Sequence, residues 1–556
     1  MVETASIRIA IAQLDPIVGD VAGNLDLALG TWREAREKSA DILVFPELFI
    51  SGAPPEGLAA DIAFCEACRS AIETLADVTG DGNGPAVLIG TPWREAGRLF
   101  NAVAVLDRGE VQALTYKAML SVVGSFDERR LFVPGPTPGP IAVRGVRLGI
   151  AIGDDLRDED VVECLAETGA DILVAPMASP FIPSAPDQRL QAAVARVVAF
   201  ELPVVVANLV GGQDEVVFDG ASFGLNADRS LGFQLPQFGE SVVVTHWDRD
   251  GESWTVIDGP RARLPDATEA TWRACLCGLK AYMEKNGFRG VTLDLTGGLD
   301  SAVCAAMAVD ALGAERVHAL SLFGQNAAPE SLEDAAEVAK VLGIALETVP
   351  IEPGADGVLT ALAAHSSPSL DANIDEMIAA RVRGTLLMAR AQATHTLPLA
   401  AIGKSDLATG FAASCGDMSG SFDPIKDLYR TDLVRLARWR NGKRPLDALG
   451  PERNVVPQRV LSKPPHAGLS ADRSRQAAIP PQAILDGILQ ALLEDGLSVS
   501  QVTARGYVLQ TVRAVADLIY RAEPKRRQAA PGVMLTSHGI AQERRFPITN
   551  RFRDRR

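Results

Sequence analysis

Short apolar runs alternate with longer mixed segments through the first half of the chain. The runs at 7–12, 42–45, 86–90, 101–105, 148–152, 172–175 and 204–207 are rich in Val, Ile, Leu and Ala. Their length and β-branched content predict strands buried on both faces. Segments with helical spacing lie between them, the clearest at 24–40. Strands interleaved with helices in this order predict an α/β sandwich around a largely buried sheet. At 256–268 the pattern breaks at Gly259, Pro260 and Pro265, which predicts a linker. Beyond it Trp272, Leu276, Leu279 and Tyr282 recur at helical spacing and open a second half. Domains at 1–255 and 269–556 follow.

The most informative local pattern lies early in that second half. Leu293, Asp294 and Leu295 read as the end of a strand, and Thr296, Gly297 and Gly298 as a tight turn. Leu299, Asp300 and Ser301 then open a helix that continues through the apolar residues 302–309. Glycine lets backbone approach a polyanion closely, and the first N–H groups of a helix, with its dipole, favour negative charge. Residues 295–301 therefore predict a pyrophosphate cradle, with Asp300 placed to give an oxygen to Mg²⁺. Tight βα turns also use glycine for steric reasons alone. No GxxxxGK[ST] occurs, and no GxGxxG is followed by a ribose-binding acid, so neither a Walker loop nor a dinucleotide fingerprint is present.

Composition narrows the class. At 556 residues the chain exceeds what one core supports, and 47% apolar residues is enough for two. The formal charge of −16, from 70 acidic against 54 basic side chains, argues against nucleic-acid binding or a membrane surface. No apolar run approaches membrane-spanning length, and the first residues do not read as a signal peptide. Cys65 and Cys68 make a single CxxC without the second pair a zinc site needs. A cytoplasmic protein with reduced thiols is expected. From Arg521 to Arg556 the balance reverses, with ten basic against three acidic residues, which favours polyphosphate chemistry, although Arg551 to Arg556 suit a solvated tail as well.

Longer motifs carry a family resemblance. Thr296-Gly297-Gly298-Leu299-Asp300-Ser301 resembles the SGGxDS signature of the ATP pyrophosphatases, with threonine for the first serine. The resemblance implies a doubly wound parallel sheet and cleavage of ATP between its α and β phosphates. In the first half Glu47 ends one strand, Lys117 follows another, and Phe126-Asp127-Glu128 comes soon after. With Ser179-Pro180-Phe181 and Phe218-Asp219-Gly220 these resemble a nitrilase-type amidase. That family is an α-β-β-α sandwich with a glutamate base, a lysine that steadies the tetrahedral intermediate and a cysteine nucleophile. Lys404-Ser405-Asp406-Leu407, the segment from Asp423 to Tyr429, and Lys525-Arg526-Arg527-Gln528 extend the match. Over almost its whole length the chain resembles the glutamine-dependent NAD synthetase family.

That resemblance implies that ammonia from glutamine, released in the first domain, amidates deamido-NAD in the second with ATP and Mg²⁺. It also implies homo-oligomers formed through the synthetase domains. Carried over by position, it puts ATP on Leu295, Thr296, Gly297, Gly298, Leu299, Asp300, Ser301 and Lys404. Substrate falls to Glu376, Arg381, Asp406 and Lys525, metal to Asp300 and Asp406, and the glutamine pocket to Ser179.

Several positions depart from the family pattern. Its Cys-Glu-Asp tripeptide reads Gly153-Asp154-Asp155, and glycine cannot form a thioester. Cys164 lies further on and reads as helix packing. The family's glutamine-contacting tyrosine and lysine fall at Val123 and Ala185. Glu47 and Lys117 remain, as a pair that can satisfy itself structurally, and the glutaminase is expected to be inactive. In the second half Ala401 replaces a threonine whose hydroxyl meets ATP, and Asp406 is one methylene shorter than the family's glutamate. Met377 and Ala379 stand where two amides meet deamido-NAD. An unmatched hydrogen bond costs roughly 1–3 kcal/mol.

The expected function is an NAD-synthetase-like ligase. It would amidate deamido-NAD through an adenylate, release AMP and pyrophosphate, and take ammonia from solution or from a partner's glutaminase. Two alternatives stay open: a paralogue that adenylates another carboxylate, and a non-catalytic nucleotide-binding scaffold. The retained motif at 296–301 argues against the scaffold. Met377, Ala379 and Ala401 argue for one of the two.

Overall fold

A computed structural model describes residues 5–121, 127–251, 253–324, 328–363, 372–411, 416, 418–463, 480–537, 539–540 and 545–554. The chain divides into two compact units, Met1–Asp266 and Ala267–Arg556. Among the described residues no helix is long and apolar enough to cross a membrane.

In the first unit a seven-stranded sheet faces a six-stranded one. The larger runs in spatial order Ser253–Asp258, Ser241–Asp250, Ser6–Gln13, Ile42–Val44, Ala86–Glu95, Arg98–Asp107, Glu110–Tyr116. The smaller runs Leu231–Gln234, Phe223–Leu225, Val204–Asn208, Ile172–Met177, Val146–Ile150, Ile141–Val143. Successive side chains of a strand point to opposite faces, and here both faces are buried. Ile7, Ile9 and Ile11 enter the layer between the sheets with Leu148, Ile150, Val174 and Val205. Their neighbours Ala10 and Ala12 pack instead with Trp32, Ile72 and Leu75 of the helices Val21–Glu37 and Ile62–Val78. On the far face of the smaller sheet, Leu173, Val204 and Val206 meet Val161 and Val197 of the helices Glu159–Glu167 and Ala185–Phe200. The layers form the α-β-β-α sandwich that the sequence implies.

The expected linker is shorter than its sequence suggests. Val256, Ile257 and Asp258 belong to the strand Ser253–Asp258, which pairs with Ser241–Asp250. Arg261 still bridges to Gln234. Gly259 and Pro260 end a strand there, because proline offers no N–H to continue a ladder. At the other side Ala267 and Thr268 already belong to the helix Ala267–Lys285.

Among the described residues, the second unit holds four parallel strands in spatial order Ala345–Pro350, Val317–Phe323, Val291–Asp294, Leu397–Leu399. The first strand in sequence is flanked on one side by the second and on the other by the fourth. Connections therefore leave it in opposite directions, and the crevice at its carboxyl end is the switch point where doubly wound sheets bind ligands. The Gly-Gly turn occupies that end and leads into the helix Leu299–Leu312.

One buried cluster pins this helix. Asp310 accepts from Trp272 Nε1 at 2.9 Å, Arg440 Nε at 2.7 Å and Arg440 Nη2 at 2.8 Å. All three side chains are buried. Asp310→Ala leaves the Arg440 guanidinium buried without its counter-ion, and breaking such a pair costs about 3–5 kcal/mol. The variant is expected to lower the unfolding free energy of the second unit by about that amount, measured against wild type by urea denaturation.

Candidate active sites

In the first unit, strand ends converge on one buried polar cluster. Glu47 follows the strand Ile42–Val44, and Lys117 follows Glu110–Tyr116. Lys117 Nζ lies 2.8 Å from Glu47 Oε1 and 2.7 Å from Glu128 Oε2. Asn101 Nδ2 donates to Glu47 Oε1 at 2.7 Å and to Glu128 Oε1 at 2.9 Å. Ala178 N–H donates to Glu47 Oε2 at 2.9 Å. Burial opposes the charge on Lys117, but Glu47, Glu128 and Asp154 outweigh it and hold its pKa above the usual lysine range. Burial lifts the Glu47 carboxyl, with Lys117 opposing and Glu128 adding to the rise.

Gly153 sits against this cluster at φ +55°. A Cβ built there would lie 2.7 Å from Glu47 Oε2 and 2.8 Å from Lys117 Nζ. Asp155, at the end of the same tripeptide, is buried and accepts from Ala118 N, Met119 N and Ile152 N. Its pKa rises to about 7 because burial outweighs those hydrogen bonds and the nearby Lys117.

In the second unit the Gly-Gly turn is tightly specified. Gly297 has φ +74°, and a Cβ there would meet Ser331 O at 2.1 Å. Sterics within the chain thus account for this glycine. Thr296 Oγ1 and Ser301 Oγ lie 3.0 Å apart, and Ser301 Oγ also accepts from Thr296 N at 3.2 Å. The N-cap of the helix Leu299–Leu312 is Gly298, which has no side chain to cap it. Lys463 Nζ donates to Gly297 O at 3.3 Å and Ser331 Oγ at 3.0 Å, and pairs with Asp334 at 2.9 Å. Asp300 pairs with Arg430 Nη1 at 2.9 Å.

Comparison with known proteins follows this two-part layout. Residues 8–254 match the carbon-nitrogen hydrolase family and residues 271–529 the NAD synthase family. The chain is 38% identical over 554 residues to a glutamine-dependent NAD(+) synthetase of Rhodobacter capsulatus, covering 99% of this chain and 100% of that protein. The chain belongs to the glutamine-dependent NAD synthetase family. A second relative of the same name, from Xanthomonas campestris pv. campestris (strain 8004), is 37% identical and covers 98% of each protein. A solved structure of the Acinetobacter baumannii glutamine-dependent NAD+ synthetase, in complex with ADP, superposes with a TM-score of 0.77 at 31% identity. It covers 98% of this chain and 99% of that one.

Within this NAD synthetase fold the candidate residues fall into distinct places. Glu47 and Lys117 are together, and Gly153 touches both. Ser179 is close by in sequence to Ala178 and donates its N–H to Asn208 Oδ1 at 2.9 Å. Ala185 is buried at the start of its helix, and Val123 lies outside the described residues. Leu295 through Ser301 form the turn and first helical turn as expected from the sequence.

Lys404, expected near the phosphates, is deeply buried. It is 0% exposed, with Nζ 2.7 Å from Asp427, 2.9 Å from Glu494 and 2.8 Å from Thr536 Oγ1. It donates to the Thr536 hydroxyl and pairs with two carboxylates, so in this arrangement the ammonium serves the interior. Burial works against its charge, and Asp427 and Glu494 more than compensate, raising its pKa.

Asp406 is half-buried on the short helix Lys404–Thr409, and Lys525 Nζ donates to Gly410 O at 2.5 Å. Glu376 and Arg381 lie on the separate helix Ala372–Thr394, with Arg381 and Met377 exposed. Among the described residues no cluster of three or more His, Cys, Asp or Glu could hold a metal ion unaided.

Asn101, Arg430 and Lys463 escaped the sequence reading. Asn101 lies inside a predicted strand, and Arg430 directly follows the motif ending at Tyr429. Neither position advertises its distant partner.

Asp155 sets a pH dependence. Its folded pKa of about 7 stands above the ordinary 3.8, so between those values the folded chain holds a proton that the unfolded chain has released. Stability from this group is therefore present at low pH and is lost as pH rises from 3.8 to about 7. Asp155→Asn is expected to flatten that part of the stability–pH profile, measured by denaturation of the first unit. An unchanged slope would show that Asp155 is ionised throughout.

Proposed function

We propose that this protein is an ATP-dependent, AMP-forming NAD synthetase that takes its nitrogen from ammonia made elsewhere. The observation that carries this reading is Gly153. It brings no nucleophile to the Glu47–Lys117 pair, and both charged groups stand within 2.8 Å of where its Cβ would be. Ala185, buried where the family's glutamine-contacting lysine falls, adds to it.

In the synthetase half the nicotinate carboxylate of deamido-NAD attacks the α-phosphorus of ATP, and pyrophosphate leaves. Ammonia then adds to the adenylated carbonyl, and AMP leaves. The N-terminus of the helix Leu299–Leu312, with glycine as its N-cap, offers N–H groups and dipole to the phosphates. Thr296 and Ser301 hold the turn that aims it. Asp300 is partly exposed beside that N-terminus and pairs with the Arg430 guanidinium, whose place a metal ion would have to take. Mg²⁺ held there would neutralise phosphate charge.

Purified protein given Mg·ATP and deamido-NAD is expected to form NAD and AMP with ammonium salts, and no NAD with glutamine alone. Glutamate release from glutamine by a clean preparation would overturn the ammonia reading. Absence of NAD with either nitrogen source would overturn the synthetase reading as well.

Gly153→Cys alone is expected to leave glutamine turnover at background. The new thiol must displace Glu47 and Lys117, and nothing at Ala185 or Val123 holds glutamine in a near-attack geometry. The assay is glutamate release compared with Gly153→Cys/Val123→Tyr/Ala185→Lys. Turnover by the single variant would show a pocket that still binds its substrate.

A further inference from the structure

The pairing of Asp300 with Arg430 is an ion pair at the Gly-Gly turn for which a bound metal would compete. Arg430 Nη1 lies 2.9 Å from Asp300 Oδ2, and the two side chains are 12% and 22% exposed. The base of the arginine is firmly anchored. Its backbone N–H donates to Ser405 Oγ at 3.0 Å, and Ser405 Oγ donates to Asp486 Oδ1 at 2.7 Å. The next residue, Thr431, donates its N–H to Asp486 Oδ2 at 2.9 Å.

Arg430 is also the first residue of the helix Arg430–Gly442. A cation at that end opposes the helix dipole, so the helix gives no reason for the charge. Asp300 does. A guanidinium is always charged and forks onto carboxylates and phosphates alike, so it has a second class of acceptor once a polyphosphate enters the same crevice.

We propose that Arg430 is the resident counter-ion of Asp300, exchanged for Mg²⁺ when nucleotide arrives, and that this exchange couples metal binding to nucleotide binding. The proposal rests on Asp300 as the metal ligand. In the empty protein the guanidinium repels a divalent cation at this carboxylate, so metal alone binds weakly. A polyphosphate draws the guanidinium to its own oxygens and leaves the carboxylate to the metal. By linkage, each ligand then raises the affinity for the other by the same factor. Arg430 is a positioning residue in this account.

The test uses the full chain and Mn²⁺ as a spectroscopic probe, titrated by electron paramagnetic resonance in the absence of nucleotide. Removing a like charge a few ångströms from the metal is expected to tighten Mn²⁺ binding on the order of 10-fold in Arg430→Gln. Arg430→Met, which keeps the side chain's packing, carries the same expectation. Arg430→Lys keeps the charge and is expected to bind Mn²⁺ as weakly as wild type. With Mn²⁺ saturating, calorimetry with α,β-methylene-ATP is expected to show weaker nucleotide binding in Arg430→Gln and Arg430→Met than in Arg430→Lys.

Unchanged or weaker Mn²⁺ binding in the two uncharged variants overturns the proposal. Asp300→Ala separates it from the reading beneath it. If that variant binds Mn²⁺ with nucleotide as well as wild type does, Asp300 is not the metal ligand and both fall. If it binds poorly while the Arg430 variants match wild type, only the exchange falls.

Discussion

A charge removed from water must be met by another charge or by several hydrogen bonds, and that constraint shapes both units. Lys117 is met by Glu47 and Glu128, with Asn101 tying the two carboxylates together. Lys404 is met by Asp427, Glu494 and Thr536. Arg189 donates twice to Asp219, and Arg440 closes on Asp310. Each of these pairs joins elements far apart along the chain and fixes how those elements sit. A site built this way has rigid walls, because moving one member leaves another unpaired.

The two units use that rigidity differently. In the first, charged groups delivered by separate strand ends have satisfied one another, and the polar cluster is closed. In the second, Lys404 is buried behind the short helix Lys404–Thr409, with its partner Glu494 partly exposed, while Asp300 and Arg430 stay partly exposed beside the Gly-Gly turn. Charge in the second arrangement remains available to something arriving from outside.

Much of the architecture was legible because its strands are buried on both faces and so appear as unbroken apolar runs. The outer strands were not. Glu110–Tyr116 mixes exposed and buried positions, and no apolar run marks it. The break at Gly259 and Pro260 was visible, but a strand end and a domain boundary use the same residues, and the first unit continues to Asp266. For the sites, Gly153, Asp300 and the Gly-Gly turn could be found as positions in motifs. Direction could not. The Lys404 motif reveals a cation near a helix start, not that its ammonium turns inward. Asn101 and Arg430 find partners 54 and 130 residues away, and no local periodicity encodes such a meeting.

Gly153 also sets the terms on which its own position can change. With no side chain there, Glu47 and Lys117 stand where a Cβ would overlap both. Any larger residue introduced by a single change would have to prise apart a buried ion pair, so the substitution meets a stability cost before it can add chemistry. The cost falls on the two partners rather than on the new side chain, and a second change that moves one of them is what would make room. Glycine here works as a keystone gap: the cluster is held shut by what is not in it.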